Sequence, residues 1–95
     1  MQDKRDKQKL LEIAEITKQT LIGKLVEVFY STNSYEIGIK GKVVEDRANI
    51  LVIATDKGEK KIIKQNVWLL IYVDDYKILV EGKKLRGRIE RRIKK

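Results

Sequence analysis

From residue 21 to residue 82 no apolar period lasts long enough for a helix. Short β-rich runs alternate there with polar turns. KLVEVFY alternates apolar and polar positions and reads as a first strand, entered through a turn at Gly23. The polar segment STNSYE leads to a second strand over 38–46, which ends at a turn of Asp46, Arg47, Ala48 and Asn49. ILVIAT lacks polar alternation, which predicts a third strand buried on both faces. Asp56-Lys57-Gly58 fits a three-residue hairpin loop with glycine at the left-handed position. EKKIIKQ follows, with charges suited to an exposed edge. VWLLIYV, a turn at Asp74-Asp75, and YKILVEG complete the series. Short strands joined by tight turns predict a mainly β fold: a small, strongly bent six-stranded sheet or barrel.

Such a barrel must bend its strands sharply to close. That gives Gly38 and Gly41 a reading in a chain wholly without proline. Glycine in a strand relieves crowding at a bend or admits another backbone closely. Close approach by RNA or a partner chain is the functional alternative at both positions.

The flanks differ from the centre. Residues 6–20 carry the helical period, with Leu10, Ile13, Ala14 and Thr17 in register and Leu11 and Ile16 widening the stripe. Asp3 or Asp6 can cap such a helix. The stripe suits packing on the chain's own barrel, or a partner protein bound through Leu10, Leu11, Ile13 and Ile16. At the other end KKLRGRIERRIKK holds eight basic side chains and one acidic, while residues 21–82 hold nine of each. The net charge of +8 is thus concentrated in the last thirteen positions. The expected division is 1–20 as a helical extension, 21–82 as the barrel, and 83–95 as a basic helix, within one domain.

The composition removes whole classes of chemistry. Without cysteine or histidine there is no disulfide, no thiolate nucleophile, no usual zinc site and no imidazole base. Asp74-Asp75 and Glu45-Asp46 are sequence neighbours, which splay in a turn or point to opposite faces of a strand, so neither forms an acid–base dyad. No apolar run approaches the roughly 20 residues of a membrane span. The charged amino terminus has no signal core behind it, which predicts a soluble, cytoplasmic protein. A binding module is favoured over an enzyme. The concentrated positive end suits a polyanion, nucleic acid before membrane.

Three blocks carry a resemblance. LIGKLVEV at 21–28, GIKGKVVEDRANILVI at 38–53 and the basic close LRGRIERRIKK resemble, in order and spacing, the archaeal ribonuclease P protein component 1 family. Asp46-Arg47 stands where that family has Glu-Thr, and Ile89-Glu90-Arg91 where it has Pro-Glu-Asp. The resemblance implies an Sm-like (SH3-like) twisted barrel with terminal helices, in the ribonucleoprotein that removes 5′ leaders from precursor tRNA. It also implies that the RNA subunit carries the magnesium-dependent chemistry. This chain would then bind no cofactor, support ribonuclease P RNA and precursor tRNA, and pair with a zinc-ribbon protein among the other subunits.

On a tail helix Leu85, Ile89 and Ile93 form one narrow apolar seam. Lys83, Lys84, Arg86, Arg88, Arg91, Arg92, Lys94 and Lys95 are then the cations for RNA phosphates. A solvated, frayed terminus is the bland alternative. The seam is too narrow, and too poor in Trp and Phe, for a membrane-lying helix. Lys40 and Lys42 share a face of the second strand and either extend the phosphate surface or serve solubility. Lys60 and Lys64, with Lys61 opposite, invite the same two readings. Trp68 and Tyr72 fall in phase on one strand face and are expected in the core rather than under RNA bases. Binding is accordingly expected to RNA backbone and shape. The rivals are a KOW-type ribosomal or transcription barrel and a protein-interaction adaptor.

Overall fold

The computed structural model describes residues 20–87. Six strands form one antiparallel sheet: β1 Leu25–Ser31, β2 Lys40–Asp46, β3 Ile50–Thr55, β4 Gly58–Ile63, β5 Val67–Val73 and β6 Tyr76–Glu81. Their order is β4-β3-β2-β1-β5-β6. Strand pairing therefore leaves β4 and β6 as edges, and the expected barrel is an open sheet by its ladders. It curls, however, until the 3-10 turns that follow the two edges, Lys64–Asn66 and Gly82–Leu85, pack on one another. A Cβ on Gly82 would overlap the Lys64 carbonyl oxygen, so the two backbones are in direct contact.

The core fills the inside of this curl. Val26, Val28, Val43, Leu51, Ile53, Ile62, Leu69, Ile71 and Val80 alternate inward from all six strands, and Leu21 and Leu85 close it from before β1 and after β6. In β3, Leu51, Val52 and Ile53 are all buried, as the unbroken apolar run required. Gly41 faces β3 so closely that a Cβ would overlap the Ala54 carbonyl oxygen. The structural reading of that glycine, that it admits another backbone closely, holds, and the backbone is the chain's own β3. Gly38 serves differently, turning the chain into β2 at a φ of 93° while its N–H bonds the Val28 carbonyl at 2.8 Å.

Two bulges re-phase the strands. One lies between Val28 and Tyr30 opposite β5, the other between Val43 and Glu45 opposite β3. Each inserts an extra residue, and each turns the polar residue at its strand end inward. Ser31 is thereby buried, and its hydroxyl donates to Glu36 at 2.7 Å while accepting from the Asn33 N–H. Asp46 is turned in by the same device.

Three expectations need correction. Lys64 is not a surface lysine on β4, because the chain leaves the strand at Ile63 and a 3-10 turn carries the side chain into the interior, fully buried. Trp68 and Tyr72 do not enter the core. Val67, Leu69 and Ile71 take the inward positions of β5, which leaves Trp68 exposed and Tyr72 half-buried on the outer face. Residues 83–87 do not begin a continuous helix: Lys83 to Leu85 finish the 3-10 turn, Arg86 is extended, and Gly87 sits at φ 92°. The reason is that the groups a helix would need are committed elsewhere. The Leu85 carbonyl accepts from Lys64 and the Gly87 N–H donates to the Ala48 carbonyl. The helical stripe of Leu10, Leu11, Ile13 and Ile16 lies outside the described residues, as do Arg88, Arg91, Arg92, Lys94 and Lys95.

Candidate nucleic-acid interface

The outer face of the sheet is built by strand parity. In β2, Gly41 faces inward, so Lys40 and Lys42 project outward on either side of it. Lys40 stands opposite Glu27 of β1, and Lys42 opposite Leu25. Glu27 stands in turn beside Leu70 of β5, and Leu70 beside Leu79 of β6. One step along the same face, Tyr72 stands opposite Lys77. Tyr72 is the hub of this end: its hydroxyl donates to Glu27 Oε1 at 2.8 Å, and the Lys40 and Lys77 ammonium groups lie 4.6 and 5.3 Å from its ring centre. Both distances are within cation–π range. Lys77 was not singled out in the sequence, although its position two residues past the Asp74-Asp75 turn places it across the hairpin from Tyr72.

A second set of cations gathers at the far end of the β5–β6 ladder. Lys83 pairs with Glu81 at 3.0 Å, and the exposed Arg86 reaches Gln65 Oε1 and the Lys83 carbonyl at 3.3 and 3.4 Å. Lys84 is exposed beside them. Trp68↔Glu81 and Tyr72↔Lys77 are four residue steps apart along the strand, roughly 13 Å. Lys40 and Lys42 therefore form one cationic group, and Lys83, Lys84 and Arg86 a second, with the outer face of β5 between them.

Lys64 belongs to neither group. Its ammonium donates to Asp46 Oδ1 at 2.7 Å, the Arg47 carbonyl at 2.6 Å and the Leu85 carbonyl at 2.7 Å. Asp46 Oδ2 accepts from the Leu21 N–H at 3.1 Å. The neighbouring carboxylate points the other way, with Glu45 paired to Arg47 at 2.7 Å in solvent. Glu45 and Asp46 are thus separated by the strand, as their adjacency required. Among the described residues no three acidic side chains gather in a way that would hold a metal ion, and no helix is long and apolar enough to cross a membrane.

The family model for ribonuclease P/MRP subunit p29 matches residues 14–95. This chain belongs to the p29 family. The match runs through all three sequence blocks, more than a short KOW motif accounts for. Ribonuclease P protein component 1 of Methanocaldococcus jannaschii is 38% identical over 81 residues, covering 84% of this chain and 85% of that protein. The protein of the same name from Archaeoglobus fulgidus is 35% identical over 85 residues, covering 90% and 83%. Among solved structures, Mth11, described as a homologue of the human RNase P protein Rpp29, superposes with a TM-score of 0.56 at 30% identity. That superposition covers 79% of this chain and 99% of Mth11. The p29 chain thus shares the β architecture of a solved relative as well as sequence blocks.

Proposed function

We propose that this p29-family chain is an RNA-binding, noncatalytic subunit of ribonuclease P that supports the catalytic RNA in removing 5′ leaders from precursor tRNA. The observation that carries the reading is the family match over residues 14–95, which extends into the strongly basic carboxyl end. The absence of histidine and cysteine from the sequence agrees with chemistry residing in the RNA and its magnesium ions. Lys40, Lys42, Lys83, Lys84 and Arg86, with the cations of 88–95, are the phosphate contacts of this reading. The amino-terminal stripe is its protein contact, with the zinc-ribbon subunit as partner. The complex works in the cytoplasm.

Reconstitution tests it. Precursor tRNA cleavage is measured with ribonuclease P RNA and the remaining protein subunits, with and without this chain. A lower rate or a higher magnesium requirement on omission is expected, and no difference would sink the subunit reading. Cleavage by this chain alone, after removal of all RNA, would overturn the noncatalytic assignment. The tail is best tested by truncation after Gly87. A cut at residue 83 would also remove Leu85, which is fully buried in the core.

A further inference from the structure

Besides turning Ser31 inward, the bulge in β1 re-aims the residues within it. Val28 before it and Ser31 after it point inward, and the extra residue leaves Phe29 and Tyr30 both exposed, at 54% and 49%. Tyr30 is thereby placed directly across from Trp68, itself 39% exposed. Three aromatic rings thus face solvent around one point of the sheet. Leu70 and Leu79 continue this apolar surface along β5 and β6, toward Tyr72. Bulges are a means of re-aiming side chains, and grouped exposed aromatics mark a contact surface.

The charges around these rings identify the partner's chemistry. Of the two acids on the face, Glu81 pairs with Lys83, and Glu27, which accepts from the Tyr72 hydroxyl, is a single negative charge among Lys40, Lys42 and Lys77. Lys40 and Lys77 make no ion pair among the described residues. They lie over the Tyr72 ring, four residues along β5 from Trp68. Flat rings for stacking and an excess of cations on the same face are the two elements of a single-strand nucleic-acid surface. We propose that the outer face of β1, β5 and β6 binds unpaired RNA nucleotides, with bases stacked on Trp68 and Tyr30 and flanking phosphates held by Lys40 and Lys77. The inference rests on the RNA-binding reading above and changes its character, since base stacking is added to contacts with backbone and shape.

Trp68 is the only tryptophan of the chain, so its emission reports on this face alone. The full chain is titrated with labelled oligouridine, and indole quenching is followed together with the anisotropy of the label. Saturable quenching by the single strand, absent with an RNA duplex of equal length, is the expected result. Tyr30→Ala and Trp68→Leu should each weaken oligouridine binding about 5- to 140-fold, the range for loss of one stacked base. Their unfolding midpoints serve as the folding control, and Tyr30→Ala carries the test if Trp68→Leu fails to fold. Oligouridine binding without quenching, at wild-type affinity in both variants, would overturn the stacking surface and leave the RNA reading standing on the tail. Equal quenching by the duplex would overturn the preference for unpaired bases. Quenching by the other protein subunits and not by oligouridine would reassign the face to a protein. Failure to bind either oligouridine or ribonuclease P RNA would overturn the RNA reading itself.

Discussion

The corner around Asp46 and the outer face around Tyr72 are both organised by lysine, and they place its ammonium in opposite circumstances. At the corner, Lys64 is fully buried and directs its ammonium at three oxygen atoms, two from the adjacent Asp46 and Arg47 and one from Leu85. On the face, Lys40 and Lys77 rest against an aromatic ring and keep their charge toward solvent. A buried charge is tolerated only when its hydrogen bonds are met, so the first arrangement is an element of the fold. The second leaves cations that a polyanion can use. The same residue type is scaffold in one place and an exposed charge in the other.

Substitutions can break that contrast. Lys64→Met removes the cation paired with the Asp46 carboxylate and should cost about 3–5 kcal/mol of stability in chemical denaturation, the loss seen when one partner of a buried pair is removed. Replacing both, as Asp46→Leu with Lys64→Met, should recover part of that loss. A double variant no more stable than Lys64→Met would mean that the Leu21, Arg47 and Leu85 hydrogen bonds matter more than the charge pairing. Gly41→Ala drives a methyl into the Ala54 carbonyl and should cost about 1–3 kcal/mol, read as a lower unfolding midpoint. Ser31→Ala removes the buried hydroxyl that joins β1 to Glu36 and should cost about 1 kcal/mol.

Lys40→Ala combined with Lys77→Ala should sharpen the contrast from the other side. Stability should stay within about 0.5 kcal/mol of wild type. RNA affinity should fall, and its log–log salt slope should become shallower by roughly 0.7–0.9 for each phosphate that is no longer neutralised. A double variant with wild-type RNA affinity and salt slope would remove these lysines from the interface.

How much of this was legible depended on how strongly each segment constrained itself. ILVIAT and VWLLIYV occupy the strands β3 and β5 residue for residue, because an apolar run between turn signals has few other ways to fold. Gly58, at φ 107°, takes the left-handed position that the Asp56-Lys57 turn demands. The inward face of β5 was not legible, since VWLLIYV is apolar at both parities. A usable signal was nevertheless there: Val67, Leu69 and Ile71 have no polar atom to satisfy, whereas Trp68 and Tyr72 do, and it is the latter pair that stays outside. The two bulges left no mark in the sequence. They moved Tyr30 onto the outer face and Asp46 into the interior, so the aromatic cluster and the Asp46–Lys64 pair both had to be seen in three dimensions. Lys64 was misread for a related reason, because EKKIIKQ continues a strand pattern past the residue where the chain turns.

The Asp46 corner also fixes where the rest of the chain sets out. The Leu21 N–H is bound by Asp46, and the Gly87 N–H by the Ala48 carbonyl two residues along. Leu21 and Gly87, near the two ends of the described residues, are therefore held at the same turn. Two ligands tethered at one point share a local concentration. In the reading proposed above, where the segments 1–19 and 88–95 both bind, capture of one target would make the second binding event intramolecular, and the two affinities would multiply rather than add. Moving one of these attachment points would lower the avidity of the pair while leaving every interaction of either segment as it was.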